Sequence, residues 1–253
     1  MSITFDHLVL LVNDLDVAER DFTELGFTVL ERADTSHGST IFKFISFADG
    51  SYILLTAFTS EEGMKGHRLG EVMSSGEGWA DYSFVVPDAR AAGDALVAGG
   101  FVAKGPVPVS NVLAGGERWG LDLLMTGRGS GGNVALPFLV SDVEGRNHRI
   151  PGPTSHPNGA TGIRNLSVSS DDPRRVADTL IAIGGKEEQV DGAIRIRFDQ
   201  VHVDVLGLND VPEGRPGGGI ITVDVIGGPN VPQEGQLLDS KLTHGAPIRL
   251  VRG

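Results

Sequence analysis

The chain has 253 residues, no cysteine and a formal net charge of −12. That balance disfavours a nucleic-acid backbone or an anionic membrane surface as the main partner, and the lack of cysteine excludes disulfides, thiolate metal sites and a cysteine nucleophile. Hydrophobic residues make up 40% and aromatics 6%, with 36 glycines, a composition that favours many turns and short strands in a globular protein.

No apolar run approaches the roughly 20 residues of a membrane span. The start, MSITFDHLVLLVNDLD, runs straight into a strand without a basic leader, so a soluble, cytoplasmic protein is expected.

Phe5 to Val12 alternate as a strand with His7, Val9 and Leu11 on one face. Asp14 suits a helix N-cap; Leu15, Ala18, Phe22 and Leu25 follow at helical spacing, and Gly26 suits the stop. The same unit recurs at Trp79–Phe101 and at Ile163–Gly185. The steps from His7 to Asp14 and Gly26 equal those from Asp81 to Asp88 and Gly100, and from Asn165 to Asp172 and Gly184. Repetition at fixed offsets predicts a modular fold in which His7, Asp81 and Asn165 are equivalent.

Behind the first helix, Thr28–Arg32, Ser39–Phe47 and Ser51–Phe58 read as strands, the last two joined by an Asp49-Gly50 turn. Residues 1–58 therefore form a βαβββ module. A polar connector with a short helix at Leu69–Met73 leads to a second module, 79–141, with strands at Val102–Lys104, Glu117–Thr126 and Ala135–Val140. Gly127 to Gly132 match G-x-G-x-x-G, but the match runs into a strand where a dinucleotide site needs a helix N-terminus, so it reads as a hairpin loop.

The Pro- and Gly-rich linker 142–161 carries His148 and His156, the latter beside turn-forming Pro157, Asn158 and Gly159. The third module, 161–206, reads as βαββ-like: Ile163–Ser169, a helix at Pro173–Ile183, Ala193–Phe198 and Gln200–Leu206. Residues 207–253 read as an irregular tail with one or two strands, at Gly219–Val225 and Pro247–Val251. The fold class is α+β.

Alternation in the third module puts Arg195 and Arg197, His202 and Asp204, and Asn165 on polar faces. Either this is a solvated sheet face or it is a cleft whose two arginines clamp an anionic or carbonyl-bearing ligand. His7 and Asp81 are open to two readings as well, as buried groups satisfied by hydrogen bonds or as site residues.

The stretches DHLVLLVNDLDVAERDF, HGSTIFKF with DGSYILL, ALPFLV, RNHRIP and HPNGA resemble the glyoxalase-like domain family of the vicinal oxygen chelate superfamily, over roughly residues 3–206. The resemblance implies a cleft inside a curved sheet of paired modules, and a homodimer. It also implies a divalent metal such as Zn, Mn or Fe, held by a residue on the first and the last strand of each module. Carried over, the first-strand positions are His7, Asp81 and Asn165, while the last strands offer Leu54, Phe138 and, in the third module, Asp204 beside His202. Leu54 and Phe138 cannot coordinate, which leaves His7, His202 and Asp204 as metal candidates, and His7 and His202 as catalytic ones.

His37 matches the histidine of the family's HG-x-T stretch and would join Arg195, Arg197, Asn165 and Asp81 in binding a ligand. The expected function is action on a small oxygenated molecule as a lyase, isomerase or dioxygenase. The alternative is metal-free small-molecule binding of the bleomycin-resistance type. Modules one and two, or one and three, can pair to close the cleft.

Overall fold

The computed structural model describes residues 3–127, 133–211 and 218–253. The Gly127–Gly132 match lies outside them apart from Gly127. In chain order the elements are β1 (Thr4–Leu11), α1 (Leu15–Glu24), β2 (Thr40–Ser46), β3 (Tyr52–Phe58), α2 (Glu61–Lys65), α3 (Gly70–Ser74) and β4 (Gly78–Val85). Then come α4 (Ala89–Ala98), β5 (Lys104–Val112), β6 (Arg118–Met125), β7 (Phe138–Glu144), α5 (Arg146–Arg149), β8 (Gly162–Ser170) and α6 (Pro173–Ala182). The chain ends with β9 (Lys186–Val190), β10 (Ala193–Phe198), β11 (Val201–Gly207), a 3-10 turn, β12 (Gly219–Gly227), β13 (Gln236–Leu237) and β14 (Ile248–Arg252). Among the described residues, no helix is long and apolar enough to cross a membrane.

The repeated helix ends are real. Asp14 accepts from Asp16 N–H and Val17 N–H, Asp88 from Ala91 N–H, and Asp172 from Arg175 N–H, at 2.8–3.1 Å. Each such cap is worth about 1 kcal/mol. Gly26, Gly100 and Gly184 stop the helices at φ of 81°, 78° and 119°, a region that costs a glycine nothing.

The strands form two mixed sheets of seven, ordered β2-β3-β1-β4-β7-β6-β5 and β13-β14-β12-β8-β11-β10-β9. In every module the first strand pairs parallel with the last: β1 with β3, β4 with β7, β8 with β11, and β12 with β14. First strands of successive modules then pair antiparallel, β1 with β4 and β8 with β12. Module one thus shares a sheet with module two. The segment expected as an irregular tail shares one with module three, carrying three strands in the same pairing pattern with a loop where the helix would be.

Three further strands differ from expectation, and the one placed at Val102–Lys104 runs over Lys104–Val112 instead. Thr28–Arg32 reduces to a single bridge between Leu30 and Phe44. The charged run at Lys186–Val190 forms β9, on a sheet edge where Lys and Glu are suited to discourage further pairing.

One apolar core lies between the sheets, drawing Leu8, Leu10 and Phe84 from the first and Leu166, Val203 and Val223 from the second, with Phe22, Leu96 and Leu180 from the helices. Phe84 and Phe198 meet at 4.3 Å between ring centroids. The alternate residues of each strand therefore face away from the core. On the first sheet this outer face is concave: the loop ahead of β2 reaches the far edge, with Thr35 N–H on Val112 O at 3.0 Å and Ala114 N–H on Ala33 O at 2.8 Å. The sheet curls into a half-barrel.

Candidate active site

The concave face of the first sheet encloses a cavity of about 250 Å³. Phe44, Tyr52, Leu54, Trp119 and Phe138 supply apolar wall, and His7, His67, Arg68 and Arg149 supply polar groups.

His7 reaches this face through a defect in β1. Phe5 and Leu8 both point into the core, which regular alternation forbids. The register against β4 shifts between Phe5 and His7, so Asp6 is an extra residue and the pleat inverts around it. Adjacent side chains that would otherwise diverge can then meet, and His7 Nδ1 lies 2.8 Å from Asp6 Oδ2.

Burial alone would raise the Asp6 carboxyl, but the hydrogen bond from His7 and the guanidinium groups of Arg149 and Arg146 hold it far below the usual carboxylate range. Asp6 is therefore ionised and can only accept, which places a proton on His7 Nδ1. Burial lowers the His7 pKa from 6.5, with Arg149 adding to the effect against the pull of Asp6 and Asp81. The ring is neutral at pH 7, with Nε2 as its free acceptor. Tyr52 stacks on it at 4.5 Å and Phe138 meets it edge-on at 5.2 Å, which fixes its plane.

Behind the dyad, Arg149 donates to Asp6 Oδ2 at 3.2 Å, Tyr52 Oη at 2.8 Å and Asp142 Oδ1 at 2.8 Å. Arg146 adds 2.8 Å contacts to Asp6 and Asp142. Burial, and then the charge of Asp6, push the Tyr52 phenol up, so its hydroxyl stays protonated. The turn that presents both arginines begins at Gly145, φ 62°. A Cβ there would lie 2.0 Å from the Arg118 carbonyl oxygen.

The connector between the modules supplies the opposite wall. Leu69 N–H donates to His67 Nδ1 at 3.2 Å, so in the neutral ring the proton sits on Nε2. Burial, with Arg68 beside it, lowers the His67 pKa. Arg68 lies 4.6 Å over the Phe138 ring and pairs with Asp81.

The expected site residues are dispersed. His7 lines the cavity. Asp81 sits on the same outer face but is taken by Arg68 and by Tyr82 N–H. His37 lies on an exposed loop and does not line the cavity. Asn165, Arg195, Arg197, His202 and Asp204 belong to the second sheet, whose outer face looks away from His7 across the shared core.

There the arginines are occupied. Arg195 holds Asp204 in a two-pronged contact at 2.7 and 2.8 Å, and Arg197 holds Glu188 at 2.6 Å. They are not free to clamp an anion. His202 lies 3.8 Å from Glu188.

The metal set His7, His202 and Asp204 is thereby corrected: the first cannot meet the other two through a packed core. In the first sheet, Asp81 is engaged and Leu54 and Phe138 carry no donor atom. Among the described residues no group of three His, Asp or Glu side chains is disposed to hold an ion. This cavity does not fit a divalent metal.

A sequence model of the glyoxalase-like domain matches residues 5–184. The chain belongs to the glyoxalase-like domain family. No curated protein matches it. Among solved structures, a hypothetical protein from Staphylococcus aureus superimposes with a TM-score of 0.75 at 13% identity, over 99% of this chain and 100% of that one. A variant of 4-hydroxymandelate synthase from Streptomyces coelicolor gives 0.55 at 16% identity, over 89% and 71%. A xylose isomerase-like TIM barrel/4-hydroxyphenylpyruvate dioxygenase fusion protein gives 0.50 at 12%, over 89% and 37%. At such identities the likeness shows the fold alone, which is α+β of the vicinal oxygen chelate type.

In this glyoxalase-like chain, sequence reasoning missed Asp6, Tyr52, His67, Arg68 and Arg149. The Asp6-His7 pair and the RNHR run were visible as strings, but nothing along the chain joins them. His156 ties its linker to the first module: its Nδ1 accepts from Thr28 N–H at 3.0 Å and its Nε2 lies 3.2 Å from Ser46 O.

Proposed function

We propose that this protein is an enzyme that takes a compact oxygenated molecule into the first-sheet cavity and moves a proton to and from carbon through His7, without a metal. The observation that carries the reading is the hydrogen bond from His7 Nδ1 to ionised Asp6. It leaves Nε2 as a base on the cavity face, oriented by Asp6 and held flat by Tyr52. A positioned base of this kind contributes roughly 10²–10⁴-fold to a proton transfer.

The carbon acid this suits is a C–H next to a carbonyl, the first bond broken in many isomerisations and lyase reactions. Proton abstraction turns His7 into an imidazolium beside the Asp6 carboxylate, and return of the proton regenerates it. The aromatic walls favour a flat or apolar body. A volume of about 250 Å³ lies below the usual range of about 300–1,000 Å³ for ligand pockets, which favours a small one. A second reading, sequestration of the same class of molecule, is supported by the apolar share of the wall.

Fluorescence of Trp119 in the cavity wall would report binding of a panel of small ring-bearing ketones and 2-oxo acids. NMR in D₂O would report exchange of their acidic C–H. Binding with exchange that disappears in His7→Gln supports the enzyme. Binding with no exchange above the buffer rate supports sequestration and sinks catalysis.

A further inference from the structure

The cavity holds two histidines, and their hydrogen bonds place their protons on opposite nitrogens. His7 donates from Nδ1 and keeps Nε2 as an acceptor. His67 accepts at Nδ1 from Leu69 N–H, 3.2 Å away, and keeps Nε2–H as a donor. Both rings line the same space. Neither assignment is adjustable without loss, since flipping the first would aim a lone pair at a carboxylate and flipping the second would set two N–H groups against each other.

We propose that His67 is the electrophile of the reaction, with Nε2–H donating to the carbonyl oxygen of the substrate while His7 Nε2 removes the neighbouring proton. The inference rests on the proton-transfer reading of His7. The C–H bond breaks toward His7, its electron pair forms the C=C bond of an enolate, and the carbonyl π pair moves onto oxygen. The negative charge that develops there meets the His67 N–H. His7 then gives a proton back to the same carbon, which produces exchange when its Nε2–H has first swapped with solvent, or to the far carbon of an enolate conjugated with a second double bond, which produces isomerisation. No oxidant or second reactant enters.

Two further features fit this role. Burial and the adjacent Arg68 keep the His67 imidazole neutral, and a neutral imidazole N–H is a competent electrophile toward a developing enolate. The ring of His67 is itself steadied by an edge contact with Phe58 at 5.3 Å.

The test compares wild type, His67→Ala and His67→Gln, whose amide restores an N–H without a titratable ring. Binding is followed by tryptophan fluorescence and C–H exchange by NMR in D₂O, with a ketone that binds the wild type as the probe. Loss of one donor to a developing oxyanion costs roughly 10²–10³-fold. The expected result is a fall of that size in His67→Ala with binding retained, and partial recovery in His67→Gln. An unchanged exchange rate in His67→Ala overturns the proposal, and so does a loss of binding that accounts for the whole loss of exchange. If the wild type binds the probe but exchanges nothing, the proton-transfer reading fails first and takes this one with it.

Discussion

Asp6 and His7 are consecutive residues of one strand, and the carboxylate of the first holds the ring of the second at 2.8 Å. Regular alternation would send them to opposite faces of the sheet. The bulge at Asp6 brings them together, and a similar shift recurs in the second sheet, where the register of β8 against β12 breaks between Ile163 and Asn165. There the corresponding residues are Arg164 and Asn165. The backbone device is repeated and the base is not.

The acidity of His7 sets the pH dependence of exchange. Its folded pKa lies below 6.5, chiefly through burial, so the base form persists into weak acid. The rising limb of rate against pH is expected to have its midpoint below 6.5. Between the folded pKa and 6.5 the unfolded chain binds the extra proton, so this group's contribution to stability falls as pH drops through that window. Asp6 has a depressed pKa; its contribution is full above the unfolded value of 3.8 and is lost as pH falls below it. Calorimetric Tm should therefore decline gently below pH 6.5 and more steeply below 3.8.

Asp6→Asn removes the carboxylate that faces Arg146 and Arg149 at 2.8 and 3.2 Å. Breaking a buried pair costs roughly 3–5 kcal/mol, and Asp142, which still holds both arginines, keeps the loss at the lower end. Urea unfolding should show a loss of that order, and a loss under about 1 kcal/mol, typical of exposed pairs, would show that the network does not depend on Asp6.

Gly145→Ala strains the start of α5 in two ways. The left-handed backbone is costly for alanine, by about 1–2 kcal/mol, and its Cβ would meet the Arg118 carbonyl. A lower urea midpoint is expected, together with weaker ligand binding as Arg146 and Arg149 shift from Asp6.

Arg195→Ala acts on the second sheet alone. Its partner Asp204 is partly exposed and the pair is open to solvent, so a loss of about 1 kcal/mol or less is expected. Binding in the first-sheet cavity, followed by fluorescence, should be unchanged. A weakened ligand would place the site on the wrong sheet.

Chelation is expected to leave exchange unchanged, because Leu54, Phe138 and the occupied Asp81 give His7 no fellow ligand. Dialysis against EDTA, followed by the D₂O assay, checks this. Activity lost to EDTA and restored by Zn²⁺ or Mn²⁺ would mean that an ion is held by His7 after all.

The sequence by itself determined the repeated strand–cap–helix–glycine unit. Apolar periodicity, Asp14, Asp88 and Asp172 at the caps, and three stop glycines are relations between near neighbours along the chain, and the structure keeps each of them. His7 was legible as a first-strand candidate, on a par with Asp81 and Asn165, and the structure places it in the cavity wall. What only the tertiary structure decided is which modules share a sheet, and with that which polar residues share a cavity. Alternation put Arg195 and His202 on a polar face but could not say that the face turns away from His7. It could not foresee that Asp204 and Glu188 would neutralise the arginines. Nor could it reach Arg149, which closes on Asp6 across 143 positions. Local pattern is set by the backbone's own period, whereas the site depends on which faces bury one another, and that is settled only when the whole core packs.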